Sequence, residues 1–170
     1  AHAVNNCILA LWVGIGLGYS QEQLVSVGIS ALIHDVGMIP MYDMVKKATP
    51  LSPKEKERLR EHPDFSAKLL QSISGIPEPC IQMVRSVHER YNGQGYPLGL
   101  KRGGISEESQ CVAVCDVYAA MIHPRFHREG TSPHGALKNL LKEKETFHPR
   151  VLKYFIKQLT LFPVGRWVEL

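Results

Sequence analysis

The chain has 170 residues, of which 44% are hydrophobic and 21% charged, a balance that excludes a disordered chain and fits one globular domain. The formal net charge of +4 comes from scattered residues, without the dense basic runs that are typical of nucleic-acid-binding or membrane-surface segments. The four cysteines lack the spacing of a zinc knuckle or a disulfide framework, which favours a reducing cytoplasm. The most apolar run, 7–18, is too short to span a bilayer, so no membrane segment is expected.

Capping residues mark the predicted helices in the first half of the chain. Ser20 and Gln23 form a capping box that begins a helix ending near His34, and the Ser-Pro-Lys-Glu run at 52–55 is a stronger start signal. The first helix, which ends at two glycines, carries an apolar stripe of Val4, Ile8, Leu11 and Ile15. A later helix carries a second apolar set, Phe65, Leu69, Leu70 and Ile73.

The second half continues the helical pattern almost to the end. Helix starts are predicted at Ser106, at Ser132 and at Pro149, and the last helix holds the apolar residues Val151, Leu152, Phe155 and Leu159. We therefore predict one all-α domain over residues 1–170, with about seven to eight helices and a short extended tail, LFPVGRWVEL. Because the chain begins inside an apparent helix, we expect a domain excised from a longer multidomain regulatory protein.

Six residues of metal-ligating type fall at predicted helix ends or on otherwise apolar faces: His2, His34, Asp35, His62, His88 and Asp116. Five predicted helices contribute them, and gaps of 26 to 28 residues separate the last four, enough for about one helix out and back. The set could therefore converge at one end of a bundle. For any single member, a hydrogen-bonded histidine or a capping aspartate is the commoner explanation.

The adjacent His34 and Asp35 strengthen the metal interpretation. An imidazole and a carboxylate at one helix end can bind one ion while the second carboxylate oxygen bridges to another. Such a set suits iron, manganese, nickel or zinc without distinguishing among them. Two ions about 3.5 to 4 Å apart activate water and neutralise a phosphoryl group, so the pattern favours hydrolysis of a phosphate ester.

Longer motifs connect these positions. The chain contains HDVG at 34–37, HP at 62–63, HERYNGQGYP at 88–97 and VCDVY at 114–118. Together they resemble the bacterial HD-GYP family, a branch of the HD phosphohydrolases, over nearly the whole chain. The resemblance implies an HD-type helical bundle that binds two or three metal ions. It also implies hydrolysis of cyclic di-GMP, a bacterial second messenger, to pGpG or GMP.

The resemblance further implies roles for individual residues. The family's metal ligands fall on His2, His34, Asp35, His62, His88 and Asp116, with Asp35 as the bridging and catalytic carboxylate. Arg125 and Arg128 fall where the family places cationic residues near the substrate phosphate. Gly95, Tyr96 and Pro97 belong to a loop expected to position His88 and wall the pocket. Expected partners are cyclic di-GMP, a diguanylate cyclase domain bound through this loop, and an upstream sensory or receiver domain.

Three positions depart from the family pattern. Met38 replaces a lysine expected near substrate phosphate, Val87 replaces the first histidine of HHE, and Asn92 replaces the aspartate of DGxGYP. Loss of one preorganised electrostatic contact costs about 10²–10³ in rate. Two outcomes stay open: a slow or altered cyclic di-GMP phosphodiesterase, or a degenerate module acting as nucleotide sensor or protein-interaction adaptor. Another cyclic dinucleotide or a different phosphoester is a third option, and a third metal ion is not assigned.

Overall fold

The structure, a computed structural model, describes residues 2–47, 49–124 and 129–161, without the side chains of residues 160 and 161. The α-helices in these ranges are α1 His2–Leu17, α2 Gln21–Ile33, α3 Tyr42–Val45, α4 Pro53–Leu59, α5 His62–Gln71, α6 Glu78–Ser86, α7 Glu107–Ile122, α8 Pro133–Lys142 and α9 Pro149–Leu161. Short 3-10 helices span Val36–Met41, Arg102–Gly104 and Lys144–Thr146.

The predicted all-α fold is confirmed. The described residues contain no strand, and all the α-helices except α3 and α4 have nine residues or more, which leaves seven longer helices. The segment predicted as an extended tail begins at Leu161, which is instead the last residue of α9. Residues 162–170 lie outside the described ranges.

Local capping explains where the helices begin. The Ser20 hydroxyl accepts a hydrogen bond from Gln23 N at 3.3 Å, and the Gln23 side chain accepts one from Ser20 N at 3.0 Å. Ser52 begins α4 through the same arrangement, and Ser106 and Ser132 cap α7 and α8. These side chains satisfy backbone donors that the first turn of a helix leaves unpaired, so the predicted starts are confirmed.

The main hydrophobic core joins α1, α2, α7, α8 and α9. It includes Ala10, Val13, Leu17, Val27, Val112, Cys115, Leu140, Phe147 and Phe155. The face predicted for α9 is confirmed, because Val151, Leu152, Phe155 and Leu159 are all buried. This core fixes the relative positions of α1, α2 and α7, which carry part of the polar cluster described below, and a smaller core of Ala67, Leu70, Ile81 and Val84 joins α5 to α6.

Two predicted stripes are wrong. In α1, Val4, Ile8 and Ile15 are 52%, 59% and 63% exposed, while the buried positions are Asn6, Cys7, Ala10, Val13, Gly14 and Leu17. In α5 and the turn that follows it, Phe65, Leu69 and Ile73 are exposed and only Leu70 of the predicted set is buried. Both helices turn mainly small side chains inward, which lets neighbouring helices approach closely. Because α1 is apolar on all sides, its pattern did not reveal its inner face.

One helical stretch, Gln21–Val45, is long and apolar enough to cross a membrane when judged by length and composition alone. Its first part, α2, packs against α1, α6 and α7. Core helices of soluble proteins meet the same criteria, so the stretch is weak support for a membrane segment.

Candidate metal centre

Five helices bring polar side chains to a common point. The side chains are those of His2 at the start of α1, His34 and Asp35 after α2, His62 at the start of α5, His88 after α6 and Asp116 within α7. His34, His62, His88 and Asp116 are buried, while His2 and Asp35 are half-buried. The structure therefore brings all six predicted ligand residues into one cluster, with its open side at His2 and Asp35.

The first group in this cluster surrounds Asp116 and one oxygen of Asp35. Asp116 Oδ1 lies 2.9 Å from His2 Nε2 and 3.4 Å from His34 Nε2. His34 Nε2 also lies 3.3 Å from Asp35 Oδ2. Two imidazoles and two carboxylates thus direct their ligand atoms toward one small volume.

The second group uses the other oxygen of the same carboxylate. Asp35 Oδ1 lies 3.4 Å from His62 Nε2 and 3.9 Å from His88 Nε2, and the two imidazole nitrogens lie 2.9 Å apart. The ligand atoms of His2, His34 and Asp35, and likewise those of Asp35, His62 and His88, lie within 4.8 Å of one another. Asp35 is therefore shared by both groups, with one oxygen facing each.

Backbone carbonyls orient two of the histidines. His34 Nδ1 donates to Ala31 O at 2.9 Å, and His62 Nδ1 donates to Leu59 O at 2.7 Å. A carbonyl can only accept, so each Nδ1 carries the hydrogen and each Nε2 presents its lone pair to the cluster when the ring is neutral.

The cluster also contains polar atoms to which the described residues offer no hydrogen bond. His34 Nε2 and Asp35 Oδ1 are buried and have no hydrogen-bond partner among the described residues. Native proteins rarely leave such atoms unpaired. Imidazole nitrogens and carboxylate oxygens are ligands for divalent transition metals, so the residues present fit a metal site.

Charge in the cluster is arranged to attract cations. Burial opposes ionisation of Asp35 and Asp116, but close contacts and charge interactions with the histidines hold the pKa of both carboxyls below the ordinary value. Burial also lowers the pKa of His34, but its contacts with Asp116 and Asp35 outweigh this and raise the pKa to about 10. Burial lowers the pKa of His88. Metal binding must therefore displace a proton from His34.

The GYP loop, residues 89–100, is tied to the end of α6 by a buried carboxylate. Glu89 is fully buried, and its two oxygens accept hydrogen bonds from Leu98 N at 2.6 Å and Leu100 N at 2.9 Å. Gly95 packs so closely that a Cβ there would clash with Arg90 N and Glu89 Cα. The loop is consequently held against the residues that follow His88.

Tyr96 is a loop residue whose ring contacts the cluster. Its ring stacks on His88 with a centroid distance of 5.0 Å and an interplanar angle of 12°, and its centroid lies 6.3 Å from that of His62. Its backbone N–H donates to His88 O at 3.2 Å, and the following peptide bond to Pro97 is cis. Burial raises the pKa of Tyr96 to about 12, so its hydroxyl is neutral at physiological pH. The loop thus forms one wall of the cluster.

Other predicted site residues fall in different settings. Arg125 and Arg128 lie outside the described residues. Met38 is half-buried on the 3-10 helix after Asp35, and Val87 is fully buried in the main core. Asn92 Oδ1 accepts a hydrogen bond from Gln94 N at 3.0 Å, so the loop keeps its turn without the aspartate charge.

Two residues near the cluster were missed by sequence reasoning. Glu89 follows His88 directly but received no role, because nothing local predicts which backbone donors it meets. Ser66 lies four residues after His62 and therefore on the same helix face, which is the signal that could have found it. Its hydroxyl donates to His34 O at 2.9 Å and accepts from Gly37 N at 2.8 Å.

Comparison with known proteins finds phosphodiesterases named for cyclic di-GMP and for 3'3'-cGAMP. The HD domain family matches residues 6–151. A cyclic di-GMP phosphodiesterase of Pseudomonas aeruginosa is 29% identical over 170 residues, covering 99% of this chain and 41% of that protein. The cyclic di-GMP phosphodiesterase response regulator RpfG of Xanthomonas campestris is 33% identical over 147 residues, covering 83% of this chain and 38% of that protein. The chain spans less than half the length of these relatives.

Solved structures share the fold. The HD-GYP-type protein Bd1817 of Bdellovibrio bacteriovorus matches with a TM-score of 0.78 at 21% identity, covering 94% of this chain and 51% of that one. The HD domain of the Listeria monocytogenes phosphodiesterase PgpH, in complex with cyclic di-AMP, matches with a TM-score of 0.67 at 17% identity, covering 99% and 92%. With its HD, HP and GYP motifs meeting in one cluster, this chain belongs to the HD domain family, in the HD-GYP branch.

Proposed function

We propose that this domain is a metal-dependent phosphodiesterase that hydrolyses cyclic di-GMP to pGpG or GMP. The observation that supports it most is the division of six imidazole and carboxylate side chains into two groups that share Asp35. The named activity of the curated relatives supports the same substrate class.

In this proposal, the two groups hold two divalent ions, whose identity among iron, manganese, nickel and zinc is open. His2, His34, Asp116 and one oxygen of Asp35 would bind the first, and the other oxygen of Asp35 with His62 and His88 the second. When bound, such a pair activates water and offsets negative charge on the phosphate under attack.

The chain's own residues prepare this chemistry. Asp35 stays ionised because neighbouring histidines keep its pKa low, so it can serve both groups at neutral pH. The backbone carbonyls of Ala31 and Leu59 keep the rings of His34 and His62 turned toward the cluster. Tyr96 covers His88 and keeps water from that side of the ring.

Substrate and partner contacts extend the proposal. Arg125 and Arg128 would bind substrate phosphate through guanidinium forks, and Gly95, Tyr96 and Pro97 would line the pocket. A diguanylate cyclase domain would contact the GYP loop, and a sensory or receiver domain would precede this domain in the parent chain. Since cyclic di-GMP is an intracellular messenger, the domain would work in the cytoplasm.

Metal content and product formation test the proposal directly. Purified protein is analysed for ions per chain and then incubated with Mn²⁺ or Fe²⁺ and cyclic di-GMP, with pGpG and GMP separated by chromatography. We expect two ions per chain and product. Asp35→Asn should lower both metal content and turnover, the latter by more than about 100-fold, because a bridging carboxylate is lost.

The matched control is Asp43→Asn, which removes the same charge from an exposed position on α3. It should keep both metal content and turnover. A metal-loaded wild-type protein that forms no product over hours would contradict the enzyme proposal and favour the sensor or adaptor alternative.

A further inference from the structure

Arg60 lies beside the cluster at the junction of α4 and α5, two residues before His62. Its guanidinium carbon lies 5.6 Å from the centroid of the Tyr96 ring, the ring that stacks on His88. Its backbone N–H donates to Glu57 O at 3.0 Å, which fixes the residue at the end of α4. Arg60 is exposed, and its guanidinium lies over the Tyr96 ring at the wall that the GYP loop forms.

The hydrogen-bond donors of this guanidinium are uncommitted. Among the described residues, no carboxylate lies within salt-bridge distance of Arg60, and none of its side-chain N–H groups has an acceptor. A guanidinium that lies over an aromatic ring still presents its five N–H groups at its edge. Arg60 is therefore placed to donate a bidentate pair of hydrogen bonds to an anion.

Arg90 is also near this wall but is already in use. Its Nη1 donates to Val87 O at 3.2 Å and to Glu89 O at 2.9 Å, and its guanidinium carbon lies 5.8 Å from the centroid of the Phe147 ring. These contacts hold the Arg90 side chain against the residues that follow α6. The two arginines thus differ in role, since Arg90 binds the protein and Arg60 has donors free among the described residues.

We propose that Arg60 binds a phosphate group of the cyclic dinucleotide, an inference that rests on the proposed function. The substrate carries negative charge and must approach the carboxylates of Asp35 and Asp116, so a cation at the rim offsets that repulsion. Met38, which follows Asp35 on the 3-10 helix, offers no charge on its side of the cluster. A planar guanidinium also suits the two free oxygens of a phosphodiester.

The test compares Arg60→Ala and Arg60→Lys with Arg58→Ala, which removes the same charge from an exposed position in the last turn of α4. KM and kcat are measured on metal-loaded protein, and Kd for cyclic di-GMP by calorimetry at low and high salt. We expect Arg60→Ala to raise KM and Kd by about 10- to 100-fold and to weaken the salt dependence, with kcat changed less than about threefold. Arg60→Lys should recover part of the affinity, since it keeps the charge without the fork. Arg58→Ala should match wild type.

Each other outcome decides against the inference. If wild type hydrolyses the nucleotide while Arg60→Ala equals Arg58→Ala in KM and Kd, Arg60 is not a phosphate-binding residue and the proposed function stands. A lower kcat with unchanged KM and Kd would assign Arg60 to support of the loop instead. If wild type neither binds nor hydrolyses the nucleotide, the proposed function and this inference fail together.

Discussion

Two segments begin at the cluster, where α2 and α6 end, and a different kind of hydrogen-bonding side chain holds each in place. The 3-10 helix Val36–Met41 follows α2 and is tied to α5 by a neutral hydroxyl, that of Ser66. The GYP loop follows α6 and is tied by the buried carboxylate of Glu89. Ser66 bonds backbone groups beside the predicted ligands His34 and Asp35, whereas Glu89, which itself follows His88, bonds backbone amides near the far end of its loop.

Each of the two segments also contains a glycine that packs closely against backbone atoms. A Cβ on Gly37 would clash with His62 O and Ser66 N, and a Cβ on Gly95 would clash with Arg90 N and Glu89 Cα. Backbone atoms cannot move aside as the end of a flexible side chain can. The comparison indicates that close backbone packing is common to both segments, while the charge of the tie distinguishes them.

The largest expected effect comes from filling the space beside either glycine. Gly37→Ala and Gly95→Ala should each lower the free energy of unfolding by about 3 kcal/mol, because the added methyl group overpacks a site walled by backbone. Gly103→Ala is the control, since no atom lies within 4 Å of a Cβ there. Denaturant unfolding measures all three, and a Gly95→Ala variant as stable as Gly103→Ala would show that the loop is not tightly packed.

Removing the charged tie should have the next largest effect. Glu89→Ala leaves the amides of Leu98 and Leu100 without their acceptor, which should cost about 2 to 3 kcal/mol. Glu89→Gln keeps one acceptor oxygen and should cost about half as much. Turnover should fall in both because Tyr96 is no longer held over His88. Glu57→Ala, at an exposed position of α4, is the control, and equal stability of the Ala and Gln variants would argue against the two-bond tie.

The neutral tie should matter less. Ser66→Ala removes two hydrogen bonds to uncharged backbone groups and should lower the free energy of unfolding by about 1 to 2 kcal/mol. Thermal unfolding beside Ser74→Ala, an exposed serine in the turn after α5, measures the difference. A Ser66→Ala cost larger than that of Glu89→Ala would reverse the comparison.

The smallest expected effect is a difference in pH response between His34 and His88, the histidines that precede the two segments. In metal-free protein, burial lowers the pKa of His34, but Asp116 and Asp35 outweigh burial and raise it to about 10, whereas burial lowers the pKa of His88. At pH 7, His34 should therefore be protonated and His88 neutral. Ring signals in a histidine NMR titration, recorded with chelator present, measure both.

The same shifts set the direction of stability. The raised pKa of His34 contributes stability that is complete below its ordinary value of 6.5 and is lost as pH rises through about 10. The lowered pKa of His88 costs stability as pH falls below 6.5. Titration of His34 at or below 6.5 would show that its carboxylate contacts are absent without metal.

The sequence by itself determined the helices, their starts and the identity of the clustered residues. Caps such as Ser20 and Ser52 act within one turn, so their effect is readable from neighbouring letters. The HD and GYP motifs likewise named His34, Asp35 and His88 before any contact was known.

Only the tertiary structure decided how those residues meet. The inner faces of α1 and α5 and the sharing of Asp35 between two groups depend on helices distant in sequence. The partners of Glu89 and Arg60 depend on the path that the GYP loop takes in the folded protein. Periodicity predicts that a helix has faces, but the packing of its neighbours selects the buried one, and side chains meet across the bundle only after that choice is made.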